Sequence, residues 1–402
     1  MKTYLIVLDS VGIGAAPDAD DYGDAGASSL AHTAQRAGGL NVPTLQSLGL
    51  GNIPPLTDGK AVAGVPLNPA PRAAYGALRE RSVGKDTTTG HWEIAGLELT
   101  KGLALFPPEF PSFPPDLIAA IEQHTGRKII GNKAASGTAI IDELGAEHMR
   151  TGAWIAYTSA DSVVQIAAHE EIIPLDELYA ACAFIRTACY PLSVGRVIAR
   201  PFLGSPGEFE RTNNRRDFSL PLPENTIITH LADHGKHVVL VGKLDDIFPE
   251  TGFHESFHGE NNPDAMDAVM QLAKRPSLTK DEFYFINFID FDMRFGHRRD
   301  PAGYAAALEN TDTFLAELLP LLGPDDCLLI TADHGNDPTH AGSDHTREYV
   351  PLLVYGKNLR PTPLGVRNGF YDIAQSLAAF FGTPPMRRGT DFLTALRIAP
   401  SP

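Results

Sequence analysis

The chain has 402 residues, 43% of them hydrophobic and 20% charged, enough to bury a large core across about two domains. Its 33 Lys and Arg against 49 Asp and Glu give a formal net charge of −16, which excludes a broad basic face for nucleic acid. A small anionic substrate is still accommodated if metal ions and a few arginines reverse the sign locally.

In chain order, residues 4–8 read as a buried strand, ending in Asp9-Ser10 and then Val-Gly-Ile-Gly. Nothing at this N-terminus is laid out as a signal peptide, and the apolar run is too short to cross a bilayer. The Thr-rich stretch "SVGKDTTTGHWEIAGL" occupies residues 82–97. The proline-rich passage "FPPEFPSFPPD" then suits a connection between domains. A helix near 117–124, a strand in "KIIGN", the stretch "AWIAYTSADS", a helix near 175–190 and a strand in "GRVIARPF" form an α/β unit of their own. We therefore expect an inserted domain over 101–215, within a core made of 1–100 and 216–402.

The core resumes with apolar runs at 237–241, 283–289, 327–330 and 350–355, which read as buried parallel strands. Amphipathic helices are predicted at 263–275, 302–322 and 371–381. This alternation predicts the α/β class, with a mainly parallel sheet covered on both faces. Cys182, Cys189 and Cys327 are scattered, form no disulfide framework, and fit small core positions in a reducing, cytoplasmic compartment.

In open α/β sheets, ligands gather beyond the carboxyl ends of the strands. The first strand ends in Asp9. "FYFINFIDFD" ends in Asp290 and Asp292, with His297 just beyond. "CLLITADHGN" ends in Asp333 and His334, and His345 lies downstream. Singly, each reads as a turn or cap residue. Together, three strands deliver carboxylates and imidazoles to one edge. His340 reads as a loop histidine and is left out of this set. Asp9, Asp292, His297, Asp333, His334 and His345 divide into two sets of three, as in two-metal sites whose ions stand roughly 4 Å apart. Mixed Asp/His ligation suits Zn²⁺ or Mn²⁺ better than Ca²⁺.

Such a site needs a nucleophile, and Thr87, Thr88 and Thr89 are candidates. A threonine hydroxyl is weak at neutral pH unless a metal activates it, and at least one of the three suits a helix cap. Neither a P-loop nor a G-x-S-x-G elbow occurs.

The segments "VLDSVGIG", "GKDTTTGHWE", "FDMRFGHRRD" and "TADHGNDPTHAGSDHTREYVP" resemble the bacterial phosphopentomutases of the alkaline phosphatase superfamily. The likeness continues through "GNKAASGT", "YTSADSVVQIAAHEE" and "GRVIARPF". It implies an alkaline-phosphatase-like core with an α/β cap, and two Mn²⁺ ions. Asp9, Thr87, Asp333 and His334 would hold one metal, and Asp292, His297 and His345 the other. Thr87 would be the phosphorylated nucleophile. The implied reaction interconverts α-D-ribose 1-phosphate and D-ribose 5-phosphate, and the 2-deoxyribose analogues, through a bisphosphate. A hexose or pentose bisphosphate would prime the enzyme. Ser159, Asp161, Arg196, Arg211 and Lys243 would contact substrate. The implied partners are small pentose phosphates, with no nucleic acid and no membrane; oligomeric state is open.

The His-rich stretch 249–262 and "NNRRDF" near Arg211 depart from the family pattern. A phosphatase or phosphodiesterase on the same scaffold would pass the phosphoryl group to water. A cofactor-independent phosphoglycerate mutase would use serine, and a sulfatase would need a Cys- or Ser-based formylglycine motif. A metal-stabilised binding protein would lose its fold without metal and turn nothing over.

Overall fold

A computed structural model describes residues 1–159, 162–249 and 251–398. The chain forms two compact units, Met1–Thr100 with Leu222–Pro402, and Lys101–Pro221.

The first unit is built on an eight-stranded sheet. From one edge the strands are Glu255–Phe257, His237–Val241, Glu282–Phe288, Lys2–Leu8, Cys327–Thr331, Val350–Tyr355, Ala74–Leu78 and Pro363–Arg367. The central three are parallel and buried along their whole length, which is why they read as unbroken apolar runs. Val350–Tyr355 departs from the parallel expectation: it runs antiparallel to both Cys327–Thr331 and Ala74–Leu78. The segment between Thr331 and Val350 contains no crossover helix, so the chain returns alongside the strand it has just left. The helix Pro301–Leu318 buries Leu308, Phe314, Leu315 and Leu318.

Register positions the site. Leu8 pairs with Phe288, and Val7 with Thr331. Asp9, the segment from Asp290 and the Asp333-His334 pair therefore leave the sheet side by side.

The second unit carries a six-stranded sheet of Ile129–Ala134, Trp154–Thr158, Val163–His169, Arg196–Leu203, Glu210–Arg211 and Arg216–Ser219. It reaches Pro221 rather than residue 215, because Arg216–Ser219 pairs antiparallel with Arg196–Ala199. Helix Gly137–Thr151 was not anticipated. Ser136 caps it by accepting the Ala139 N–H, and Ile140 and Ile141 are its buried apolar residues. The three cysteines are buried and unpaired. No described helix is long and apolar enough to cross a membrane.

Candidate metal centre and active site

After Asp9 the chain turns sharply, with Ser10 in the left-handed region at φ 70°. This non-glycine strain sits beside the site and is held by neighbours. The Tyr304 hydroxyl donates to the Ser10 carbonyl at 2.8 Å, and the Ser10 N–H donates to Asp333 Oδ1 at 3.0 Å. Asp292 lies in a π-helical stretch, Phe291–Gly296, closed by the His297 N–H donating to the Asp292 carbonyl. That i to i+5 winding brings residues five apart onto one side, and His297 Nε2 stands 3.0 Å from Asp292 Oδ2.

Two overlapping groups of buried donors result: Asp9, Asp333 and His334, and Asp292, His334 and His345. His334 Nε2 lies 3.2 Å from Asp333 Oδ2 and 3.5 Å from Asp9 Oδ1. His345 Nε2 lies 3.4 Å from Asp292 Oδ1. The structure thus brings all six residues singled out from the strand ends into one neighbourhood. His340 stands apart, its Nε2 donating to the Gly23 carbonyl at 3.3 Å.

Several features of this cluster fit metal ions. Asp9 Oδ1, Asp333 Oδ2 and His345 Nε2 are buried without a hydrogen-bond partner. A buried carboxylate oxygen in that condition is costly unless a cation meets it. His334 donates Nδ1–H to the Gly335 carbonyl, and His297 to the Ser343 carbonyl, which leaves each Nε2 lone pair for a ligand. Asn287 donates to Asp9 Oδ2 at 2.9 Å, and Asn336 to Asp292 Oδ1 at 2.7 Å, so the carboxylates are oriented from behind.

Charge tells the same story. Burial pushes the Asp9 carboxyl well above its usual range, and the nearby Asp333 and Asp292 push it further. Burial opposes ionisation of Asp292 too, but the His345 and His297 imidazoles outweigh it and hold that carboxyl low. His297 is resisted by burial yet raised to about 9 by Asp292. Protons on imidazoles balance the carboxylates, a role a divalent cation fills at closer range.

The helix Thr87–Ile94 brings the threonines to this centre. Asp86 caps it, accepting the Thr89 N–H at 3.1 Å and the Thr89 hydroxyl at 2.6 Å. Thr89 is thereby committed to the cap. Thr87 Oγ1 instead lies 3.1 Å from His334 Nε2. Gly90 lets the helix press on the metal loop: a Cβ there would stand 2.1 Å from the Asp333 carbonyl oxygen. Arg347, two residues past His345, donates to the Ser82 and Gly84 carbonyls and to Glu80, fixing the approach to Thr87.

The remaining singled-out residues lie elsewhere. Lys243 follows a core strand, with its Nζ 3.3 Å from Glu260 Oε2 of the His-rich stretch. In the second unit, Ser159 follows Trp154–Thr158, and Arg211 is exposed on its short strand. Arg196 has a long 3.7 Å contact to Asp217, whose carboxylate takes two 2.7 Å bonds from Arg215. Asp161 lies outside the described residues. Sequence reasoning missed His91, Asn287, Asn336 and Arg347. Asn287, a polar residue near the end of an apolar strand, carried the one usable signal.

A profile of the metalloenzyme superfamily matches residues 1–385. A phosphopentomutase of Alkaliphilus oremlandii (strain OhILAs) is 48% identical over 397 residues, covering 98% of this chain and 99% of that protein. Among solved structures, the PH0037 protein of Pyrococcus horikoshii is similar over 97% of this chain and 98% of its own, at TM-score 0.47 and 14% identity. A Leishmania mexicana phosphoglycerate mutase is similar over 97% of both chains, at TM-score 0.47 and 12% identity. Identity near one residue in two along essentially the whole of both chains is decisive here: the chain belongs to the phosphopentomutase family, phosphomutases of the isomerase class within the metalloenzyme superfamily.

Proposed function

We propose that the chain interconverts α-D-ribose 1-phosphate and D-ribose 5-phosphate, and their 2-deoxyribose analogues, through a phosphothreonine at Thr87 and a bisphosphate intermediate. The carrying observation is the Thr87 hydroxyl, placed 3.1 Å from His334 Nε2 while Thr89 is tied to Asp86. Asp9, Asp333 and His334 with Thr87 would hold one Mn²⁺, and Asp292, His297 and His345 a second. When bound, the ions supply Lewis-acid stabilisation of phosphoryl oxygens and lower the pKa of a coordinated hydroxyl.

The rest of the chemistry is positioning. Thr87 Oγ1 carries the phosphoryl group. Its P–O bond breaks as one forms to a sugar hydroxyl, whose proton replaces the phosphoryl group on Thr87 Oγ1. The bisphosphate turns, and its other phosphoryl group passes to Thr87 Oγ1, regenerating the phosphothreonine and leaving the isomeric monophosphate. A hexose or pentose bisphosphate supplies the first phosphoryl group. Ser159, Asp161, Arg196 and Arg211 of the inserted unit, with Lys243 of the core, would hold the sugar and its non-reacting phosphate. Arg196 and Arg211 suit that task because a planar guanidinium can fork onto a phosphate, and Arg196 meets Asp217 only at 3.7 Å. The inserted unit would act as a cap that excludes water, so transfer to sugar prevails over hydrolysis. The compartment that fits is the cytoplasm.

Phosphorus NMR tests this with Mn²⁺, α-ribose 1-phosphate and a trace of hexose bisphosphate. Ribose 5-phosphate should appear with little inorganic phosphate, and Thr87→Ala should abolish the conversion while circular dichroism is unchanged. Release of inorganic phosphate as the main product would make the protein a phosphatase. Full mutase activity in Thr87→Ala would remove the phosphothreonine step.

A further inference from the structure

We propose that His91 is a positioning residue that sets the nucleophile helix in register with the metal ligand Asp333. This rests on the assignment of Thr87 and Asp333 above, and adds to it a residue outside the proposed metal ligands and substrate contacts. His91 lies on the turn after Thr87 and is fully buried. Its Nδ1 stands 2.9 Å from the Thr87 carbonyl oxygen and 3.0 Å from Asp333 Oδ2. A carbonyl can only accept, so Nδ1 carries the proton. One N–H thus faces the backbone of the nucleophile and, off the line of that bond, the carboxylate of a metal ligand. The ring lies near Phe285, with centroids 6.1 Å apart.

Two further contacts make this a clamp. Gly90 leaves no space between the helix and Asp333. Asp333 Oδ1 is already fixed by the Ser10 N–H, and the positive edge of the His91 ring lies 3.0 Å from the remaining oxygen, Oδ2, without forming a hydrogen bond to it. The Thr87 hydroxyl and the Asp333 carboxylate must present themselves to the same ion, and His91 stands between the Thr87 backbone carbonyl and that carboxylate. Partners of metal ligands typically contribute about 10–100-fold in metal affinity or activity.

The test compares three substitutions. Asn puts an amide nitrogen where Nδ1 stands; Gln carries the same donor one methylene further and fills more of the space; Leu removes the donor. Registration predicts that His91→Asn stays near the parent in Mn²⁺ affinity by calorimetry and in phosphothreonine occupancy by intact mass. His91→Gln and His91→Leu should fall about 10–100-fold in affinity, with kcat lowered more than KM changes. A filler role predicts the reverse order, Gln at or above Asn, and that order would overturn the proposal. If His91→Leu does not fold, the Asn and Gln pair still decides. A parent protein that gains no phosphothreonine would instead undo the Thr87 assignment, with His91 judged on Mn²⁺ affinity alone.

Discussion

The core unit contains two clusters that pair carboxylates with imidazoles, and they behave oppositely. At the carboxyl ends of the central strands, Asp9, Asp292, Asp333, His297, His334 and His345 crowd together, and three of their atoms are buried without partners. At the sheet edge, Glu255 is met by His237 at 2.7 Å and by both terminal nitrogens of Arg275, at 2.9 and 3.0 Å. Each Glu255 oxygen has a donor, so the carboxylate there is satisfied by the protein alone, although Arg275 Nε is left without a partner. The metal cluster completes itself only with something else. Acid and imidazole in proximity do not mark a site; unsatisfied acid and imidazole do.

The contrast predicts opposite signs for neutralising one carboxylate in each cluster. The largest effect belongs to Asp9→Asn. Its carboxyl is pushed up by burial and by Asp333 and Asp292, so its ionised form opposes folding at neutral pH. Asn keeps the shape and can still accept from Asn287. Turnover should fall by at least about 10²–10³-fold, the scale for losing one preorganised electrostatic partner. In chelator, calorimetry should find the variant at least as stable as the parent. Added Mn²⁺ should stabilise the parent by about 2.7 kcal/mol at a hundredfold excess over Kd, and the variant much less. A variant less stable than the parent in chelator would make Asp9 a structural residue and erase the distinction.

What was legible in the sequence follows from where function meets regularity. Asp9, Asp292 and Asp333 stood out because each ends an unbroken apolar run, and parallel strands in register deliver such ends to one place. His91 was silent: a lone histidine on a helix carries no period, and its importance comes from a partner 242 positions away that only the fold supplies. Asn336 and Arg347 were hidden likewise, inside a loop already rich in polar residues. The reversed direction of Val350–Tyr355 was hidden because its burial on both faces gives the run expected of a parallel strand. Spacing alone does not choose among three consecutive threonines; the family resemblance points to Thr87, and the cap bond to Asp86 occupies Thr89.

A smaller effect concerns the border between the two kinds of cluster. Lys243 is proposed to meet the non-reacting phosphate, yet its Nζ lies 3.3 Å from Glu260, which is 73% exposed. An ion pair that open contributes only about 0–1 kcal/mol, so a phosphate can displace it. Steady-state kinetics should find KM for ribose 5-phosphate raised about tenfold in Lys243→Met, as one charged contact is lost. Glu260→Gln should lower KM about twofold, because the competing carboxylate is gone. An unchanged KM in Lys243→Met would withdraw Lys243 from the substrate contacts, and an increase in Glu260→Gln would mean that Glu260 orients the lysine rather than competing for it.

The smallest effect tests the completed cluster. Hydrogen bonding from Arg275, helped by His237, holds the Glu255 carboxyl at about 2, against an ordinary 4.5. A depressed folded pKa means the unfolded chain takes up the proton first on acidification. The contribution of Glu255 is therefore full above about pH 4.5 and is lost as pH falls toward 2. Glu255→Gln should cost about 1 kcal/mol at pH 7, in the range for partly exposed ion pairs. Chemical denaturation of parent and variant across that window should show the deficit shrinking as pH drops, while the metal-dependent stabilisation measured at pH 7 stays equal in the two. A deficit that persists unchanged to pH 2 would assign the loss to packing of the side chain and not to its charge.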